Sequence, residues 1–176
     1  MKSKNIILTV CFTAMVLVFA ACSSQEDKRI SRQKAIREYA ESVRTVPISQ
    51  GSAVVDSMLS MYASYIKDYP QDTMSETYLF NMSNIYKELN ECDSALQCLD
   101  RMIKEFPQGK KNGLAYFYRA MVLHDVCLNR EESIKAYETY IEKFPDSKFV
   151  NVARQMLQLD TMKNPLEFLK NVKTDE

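Results

Sequence analysis

His124 is the only histidine in the chain, and only three of its 176 residues are glycine. General acid–base catalysis leans on histidine, and phosphate-cradling loops need glycines at fixed spacing, so both chemistries lack material. Helical periodicity places His124 in the middle of a helix, away from any candidate nucleophile. The acids Asp125, Glu131 and Glu132 fit solvated faces and helix starts. Five cysteines remain to be assigned. No Cys-x-x-Cys motif occurs, and a single histidine does not complete a zinc set. The expectation is a protein that is no enzyme, with no catalytic residue, no metal site and no cofactor.

Cys22 is the cysteine placed for modification. Lys2 and Lys4 precede an apolar run of 16 residues from Ile6 to Ala21, interrupted by Thr9 and Thr13. Ala20-Ala21 stand just before the cysteine, and polar Ser23-Ser24-Gln25-Glu26-Asp27-Lys28 follow it. That is the layout of a secretory signal, and the run is short for a transmembrane helix. Phe19-Ala20-Ala21-Cys22 resembles a bacterial lipobox, with Phe19 where leucine is commoner. The resemblance implies cleavage before Cys22 and diacylglyceryl attachment to its sulfur. Cleavage without lipidation, or an uncleaved anchor, are the alternatives. Residues 1–21 then form a signal peptide and 22–29 a polar tether to the membrane. Losing the leader removes two lysines and no acids, leaving 23 − 2 = 21 basic against 23 acidic residues, a net of −2. With no basic block, a nucleic-acid partner is not expected.

Whatever the chain binds must be positioned by a stretch that it writes three times. Pro70, Pro107 and Pro145 close the segments Tyr-Ile-Lys-Asp-Tyr-Pro, Met-Ile-Lys-Glu-Phe-Pro and Tyr-Ile-Glu-Lys-Phe-Pro. The prolines are 37 (107 − 70) and 38 (145 − 107) residues apart, a period that marks stacked helical hairpins. Before each proline, steps of three and four align Met58/Ala95/Ser133, Tyr62/Leu99/Tyr137, Tyr65/Met102/Tyr140 and Ile66/Ile103/Ile141 on one helix face. Each helix should stop at the Tyr/Phe-Pro pair, because proline lacks an N–H and disfavours helical geometry in its predecessor. After each proline a second amphipathic helix aligns Tyr78/Ala115/Ala153, Ser83/Ala120 and Tyr86/Leu123, with small residues where a neighbour approaches closely.

This pattern resembles the tetratricopeptide repeat, over roughly residues 53–160. The family's small residue, Tyr, Ala and final Pro fall on Ser83, Tyr86, Ala95 and Pro107. The next repeat follows through Ala120, Leu123, Ser133, Tyr137 and Pro145, with about one extra residue in its inner turn. Arg119 stands where the family prefers leucine. The resemblance implies an all-α, right-handed α-solenoid of about three hairpins plus a C-terminal capping helix. The run Phe144-Pro145-Asp146-Ser147 is similar to the repeat subtype of envelope lipoproteins such as the D subunit of the outer-membrane β-barrel assembly machine. The repeat domain is expected over 30–162 and a short C-terminal helix and tail over 163–176, with Asn164-Pro165-Leu166-Glu167 as that helix's start.

The remaining elements follow from their punctuation. Ile30, Ala35, Ile36, Tyr39, Ala40 and Val43 predict a helix over 30–45. Thr73-Met74-Ser75-Glu76 reads as a capping box and Asn129-Arg130-Glu131-Glu132 as a similar start. Phe149, Val152, Ala153, Met156 and Leu157 put one apolar side on a covering helix over 148–160. The register places Cys92 and Cys127 in equivalent inner turns of neighbouring hairpins and Cys98 on a helix. Neighbouring repeats lie about 10 Å apart, beyond the ~7 Å that a disulfide spans between Cα atoms, so three buried or half-buried thiols are expected.

The same resemblance implies a concave groove lined by the helices after Pro70 and Pro107. Its positions are Thr77, Phe80, Asn81, Asn84, Lys87 and Glu88, then Leu114, Phe117, Tyr118, Met121, His124 and Asp125. Aromatic rings beside amides suit an extended peptide, although Phe80 and Phe117 could equally pack against adjacent helices. The family's carboxylate clamp is largely missing, with Asn84 the one matching kind of residue. The functional expectation is a lipid-anchored scaffold that binds a protein partner in this groove. It would be a subunit of an outer-membrane complex, at the periplasmic face. The alternative is a structural or ligand-sequestering lipoprotein that binds cell wall or a small molecule.

Overall fold

A computed structural model describes residues 24–161, and all regular structure among them is helical. The chain divides between Val46 and Pro47 into two units. In the first, α1 is helical over 24–42. Lys34 and Glu38 pair one turn apart at 3.7 Å, and Glu41 in the last turn pairs with Arg44, just past the helix, at 3.3 Å. Residues 24–29, expected as part of the tether, are helical in α1, where Glu26 and Arg29 pair at i, i+3.

The second unit contains α2 (Ala53–Asp68), α3 (Thr73–Glu88), α4 (Cys92–Glu105), α5 (Asn112–Asp125), α6 (Arg130–Lys143) and α7 (Val150–Thr161). Each packs mainly on its neighbour in sequence. No described helix is long and apolar enough to cross a membrane. Cys22 and the expected helix at Asn164-Pro165-Leu166-Glu167 lie outside the described residues.

The three prolines act alike. Tyr69, Phe106 and Phe144 end α2, α4 and α6 with φ of −131°, −125° and −132° and ψ of 59°, 56° and 56°. The clash of a proline ring with its predecessor forces this departure from helical geometry. Each turn then closes by an i to i+3 bond, from Asp72, Gly109 and Ser147 N–H to the carbonyls of Tyr69, Phe106 and Phe144. Proline at the second position presets φ for such a turn.

The expected core faces are buried. Met58, Ala95 and Ser133, then Tyr62, Leu99 and Tyr137, then Tyr65, Met102 and Tyr140 all lose contact with solvent. Tyr78, Ala115, Ala153, Ser83 and Ala120 do the same on the following helices. Leu123 and Ala120 are buried while Arg119 reaches Asp100 of α4 at 2.7 Å, which fixes the register of α5. The inner turn between α5 and α6 has one residue more than that between α3 and α4. Asn90 (φ 61°) and Leu128 (φ 51°) turn the chain left-handed at equivalent places. The N–H groups of Asn90 and Glu91 return to the carbonyls of Lys87 and Tyr86, a Schellman cap, whereas in the longer turn Cys127 and Asn129 N–H return to Val122 and Leu123.

Four local expectations are corrected. Asp72, not Thr73, caps α3, its carboxylate accepting from Met74 N–H at 2.6 Å. Glu76 is thereby released from a capping role and turns inward. Asn129 does cap α6, accepting from Glu132 N–H. On α7, Val150 is buried and Val152 exposed, because the helix starts at Val150 and turns Ala153, Met156 and Leu157 inward. His124 sits in the last turn of α5 rather than mid-helix.

The fourth correction concerns the cysteines. Cys92 and Cys127 form a disulfide with their Cα atoms 5.1 Å apart, and only Cys98 of the three is a buried thiol. The expectation measured one hairpin against the next. Cys92 opens α4, however, and Cys127 follows α5, and these two helices are antiparallel neighbours. Axes about 10 Å apart carry Cα atoms about 2.3 Å off-axis on facing sides, which leaves roughly 5 Å between them.

Candidate functional site

The candidate face is built from α3 and α5, the helices that follow Pro70 and Pro107. Phe80 of α3 meets Tyr118 of α5 edge to face, ring centroids 4.8 Å apart at 72°. Both rings are half-buried, so they bridge the two helices and still present area to solvent. Met121 lies on the same side of α5 and is half-buried against the core cluster.

Amides and charges flank this pair. Asn81 donates to the Tyr62 hydroxyl of α2 at 3.2 Å. Burial pushes the Tyr62 phenol up from its ordinary value, and the bond from Asn81 offsets part of that. Asn84 donates to the Phe80 carbonyl at 3.0 Å, which orients its amide along the helix. At the inner-turn end Lys87 pairs with Glu88 at 3.2 Å and His124 Nδ1 lies 2.6 Å from Asp125 Oδ1. Both pairs join sequence neighbours, so this end of the face is polar.

Phe117 departs from the expected groove set. Its exposure is 5%, its ring stacks on Phe149 at 5.1 Å and 12°, and Tyr140 lies at 5.3 Å. It belongs to the core with Ala120, Leu123, Ala136, Tyr137, Tyr140 and Ala153. Its counterpart Phe80 is half-buried instead and meets Tyr118 edge to face. The face therefore pairs Phe80 with Tyr118, not with Phe117. Helix periodicity alone does not separate these two neighbours on α5; the ring of Phe149, just before α7, does.

Sequence reasoning missed Glu76. It is 5% exposed and accepts the Lys111 backbone N–H at 2.7 Å, tying α3 to the loop that opens α5. Gly109 makes room for it, since a Cβ there would lie 2.2 Å from Glu76 Oε1. A buried acid one turn into a helix is the available signal, but its partner is 35 residues away. Among the described residues no cluster of three or more His, Cys, Asp or Glu side chains could hold a metal.

Residues 77–109 and 114–147 each match the family model of the tetratricopeptide repeat. These two segments are similar to tetratricopeptide repeats. Each covers one hairpin, α3–α4 or α5–α6, and ends in its proline turn. No curated protein matches the chain. Tetratricopeptide repeats generally mediate protein–protein interaction, and an all-α repeat fold of this type is typically a non-catalytic scaffold. Repeat helices α3 and α5 hold the Phe80–Tyr118 pair as adjacent first helices of the two hairpins.

Proposed function

We propose that the protein is a lipid-anchored envelope scaffold that holds a protein partner on the face of α3 and α5, as a subunit of an outer-membrane complex. The observation that carries this reading is the Phe80–Tyr118 ring pair, half-buried and spanning two successive tetratricopeptide repeats. Rings held in place by packing lose little entropy on binding and offer large contact area. Asn84, Lys87, Met121 and His124 extend the same face toward the inner turns. A partner segment with apolar side chains would seat on the rings, its backbone meeting the amides at the edge.

The envelope setting rests on two supports. The signal layout ending at Phe19-Ala20-Ala21-Cys22 makes Cys22 the anchor. The Cys92–Cys127 disulfide fits an oxidising compartment, since such bonds seldom persist in a reducing cytosol. The turn Phe144-Pro145-Asp146-Ser147 adds the likeness to repeat lipoproteins of outer-membrane assemblies.

Purification in mild detergent with the lipid intact tests the whole reading. A specific protein should co-elute and be lost from a Phe80→Ala, Tyr118→Ala double variant. A Cys22→Ala variant should leave the membrane fraction. A monomer without partners in the cell, or unchanged capture by the double variant, refutes the assignment of this face.

A further inference from the structure

A second surface of α5 is turned away from Leu114, Tyr118 and Met121. At about 100° per residue, Tyr116 and Arg119 lie on the far side of the helix. They floor a cleft of about 300 Å³, walled by Asp100 and Ile103 of α4 and by Glu132, Lys135 and Ala136 of α6. The volume is at the small end of ligand sites, about 300–1,000 Å³. Its lining along α6 from Glu132 to Thr139 rises about 10 Å, roughly three residues of extended chain.

The cleft has a charged half and an apolar half. Toward the inner turns, Arg119 Nε donates to Asp100 Oδ1 at 2.7 Å. Lys135 stands on the facing wall, held by Glu131 at 2.8 Å and Glu132 at 3.1 Å. Toward the proline turns come Ile103, Tyr116 and Ala136, with Lys143 5.6 Å from the Tyr116 ring centroid. A guanidinium has five N–H donors, and the Asp100 bond uses the one on Nε.

The architecture does not require this pair. Twelve residues after Pro70 stands Met82, buried; twelve after Pro107 stands Arg119. Seven residues before Pro70 is Ala63, where Asp100 precedes Pro107. The first interface fills this place with an apolar side chain, and the second puts an ion pair at the floor of a cleft. Arg119 is 31% exposed at its side chain, so an anion reaching it is partly shielded from water. The lining acids Asp100 and Glu132 offset Arg119 and Lys135, and Glu131 also pairs with Lys135, so a dianion meets three opposing carboxylates. A single carboxylate instead matches the planar fork of Arg119.

We propose that this cleft is a second binding site, for a short peptide segment that carries one carboxylate beside an apolar side chain. The carboxylate lies on the Nη donors of Arg119, within reach of Lys135, and the apolar side chain lies on Ile103 and Tyr116. Asp100 acts through Arg119, as a positioning residue that holds the guanidinium.

The probes are N-trifluoroacetyl-Leu-Glu-Leu-amide and its glutamine counterpart, followed by fluorine NMR as the full chain in mild detergent is added. The glutamate peptide should bind about ten-fold tighter, the advantage of a charge-assisted pair. Arg119→Met should erase that preference, Lys135→Met should reduce it, and Phe80→Ala should leave it intact. If Arg119→Met fails to fold by circular dichroism, the exposed Lys135→Met variant carries the comparison. Equal binding of both peptides overturns the proposal, as does a preference that survives in folded Arg119→Met, or one that is undiminished in Lys135→Met where that variant stands in. Acetate that displaces the peptide at equal concentration overturns it too, by marking a small-anion site.

Discussion

Glu76 and Gly109 fit closely against each other. The carboxylate is buried, its bond to Lys111 N–H joins two repeats, and no Cβ fits at residue 109 without moving it. Gly109→Ala should therefore displace the carboxylate and cost about 1–3 kcal/mol, as should Glu76→Ala, since either leaves a buried polar group without its bond. Because both break one interaction, the double variant should cost less than the sum, measured by denaturant unfolding in a double-mutant cycle. Cys98 is the other residue with a distinct prediction. Burial pushes its thiol up from 9.0 to about 11. Its folded-state value lies above the unfolded one, so its contribution to stability is whole below pH 9 and is lost as pH rises toward 11. Iodoacetamide at pH 8 should modify Cys98 only after denaturation, read by peptide mass mapping.

The hairpin and its disulfide belong to the scale of elements. The bond between Cys92 and Cys127 spans 35 residues and joins the start of α4 to the end of α5. Closing a loop of that length removes unfolded-chain entropy worth about 3–4 kcal/mol. Reduction, or the Cys92→Ser, Cys127→Ser pair of changes, should lower the melting temperature by roughly 10 °C in a calorimetric scan. The inner turns should stay closed locally, because their backbone bonds do not involve sulfur. Leu128 is exposed to 80% and left-handed, whereas Asn90 takes the equivalent place in the previous turn. The structure offers no packing reason for leucine there.

For the whole molecule, stability is shared between neighbours. Each helix rests on the next, so a hairpin at the end of the array leaves a bare apolar face unless something covers it. α7 covers α6, and Phe149 closes the ring cluster around Phe117. A chain ended at Ser147 should lose cooperative unfolding by circular dichroism and expose apolar surface, measured by dye binding. Burying Phe117 is worth about 3–5 kcal/mol by the usual cost of truncating such a ring, and Phe149 supplies one wall of its site.

The proline period and the spacing of Tyr62, Leu99, Tyr137 and their neighbours were enough to predict the helices that end at the prolines and their buried faces. These are local properties: proline acts on its predecessor, and a helix face repeats every three to four residues. The same locality let Asn129 be read as a cap. What tertiary structure alone decided depends on pairs far apart in the chain. Cys92 and Cys127 meet because antiparallel helix ends face each other, a distance that hairpin spacing does not contain. Phe117 and Tyr118 are adjacent in sequence and differ in fate because one meets Phe149 and the other meets Phe80. Glu76 looked like a local cap until the loop before α5 placed an N–H beside it. Periodicity states which face of a helix turns inward; only the packed neighbour determines what each side chain meets there.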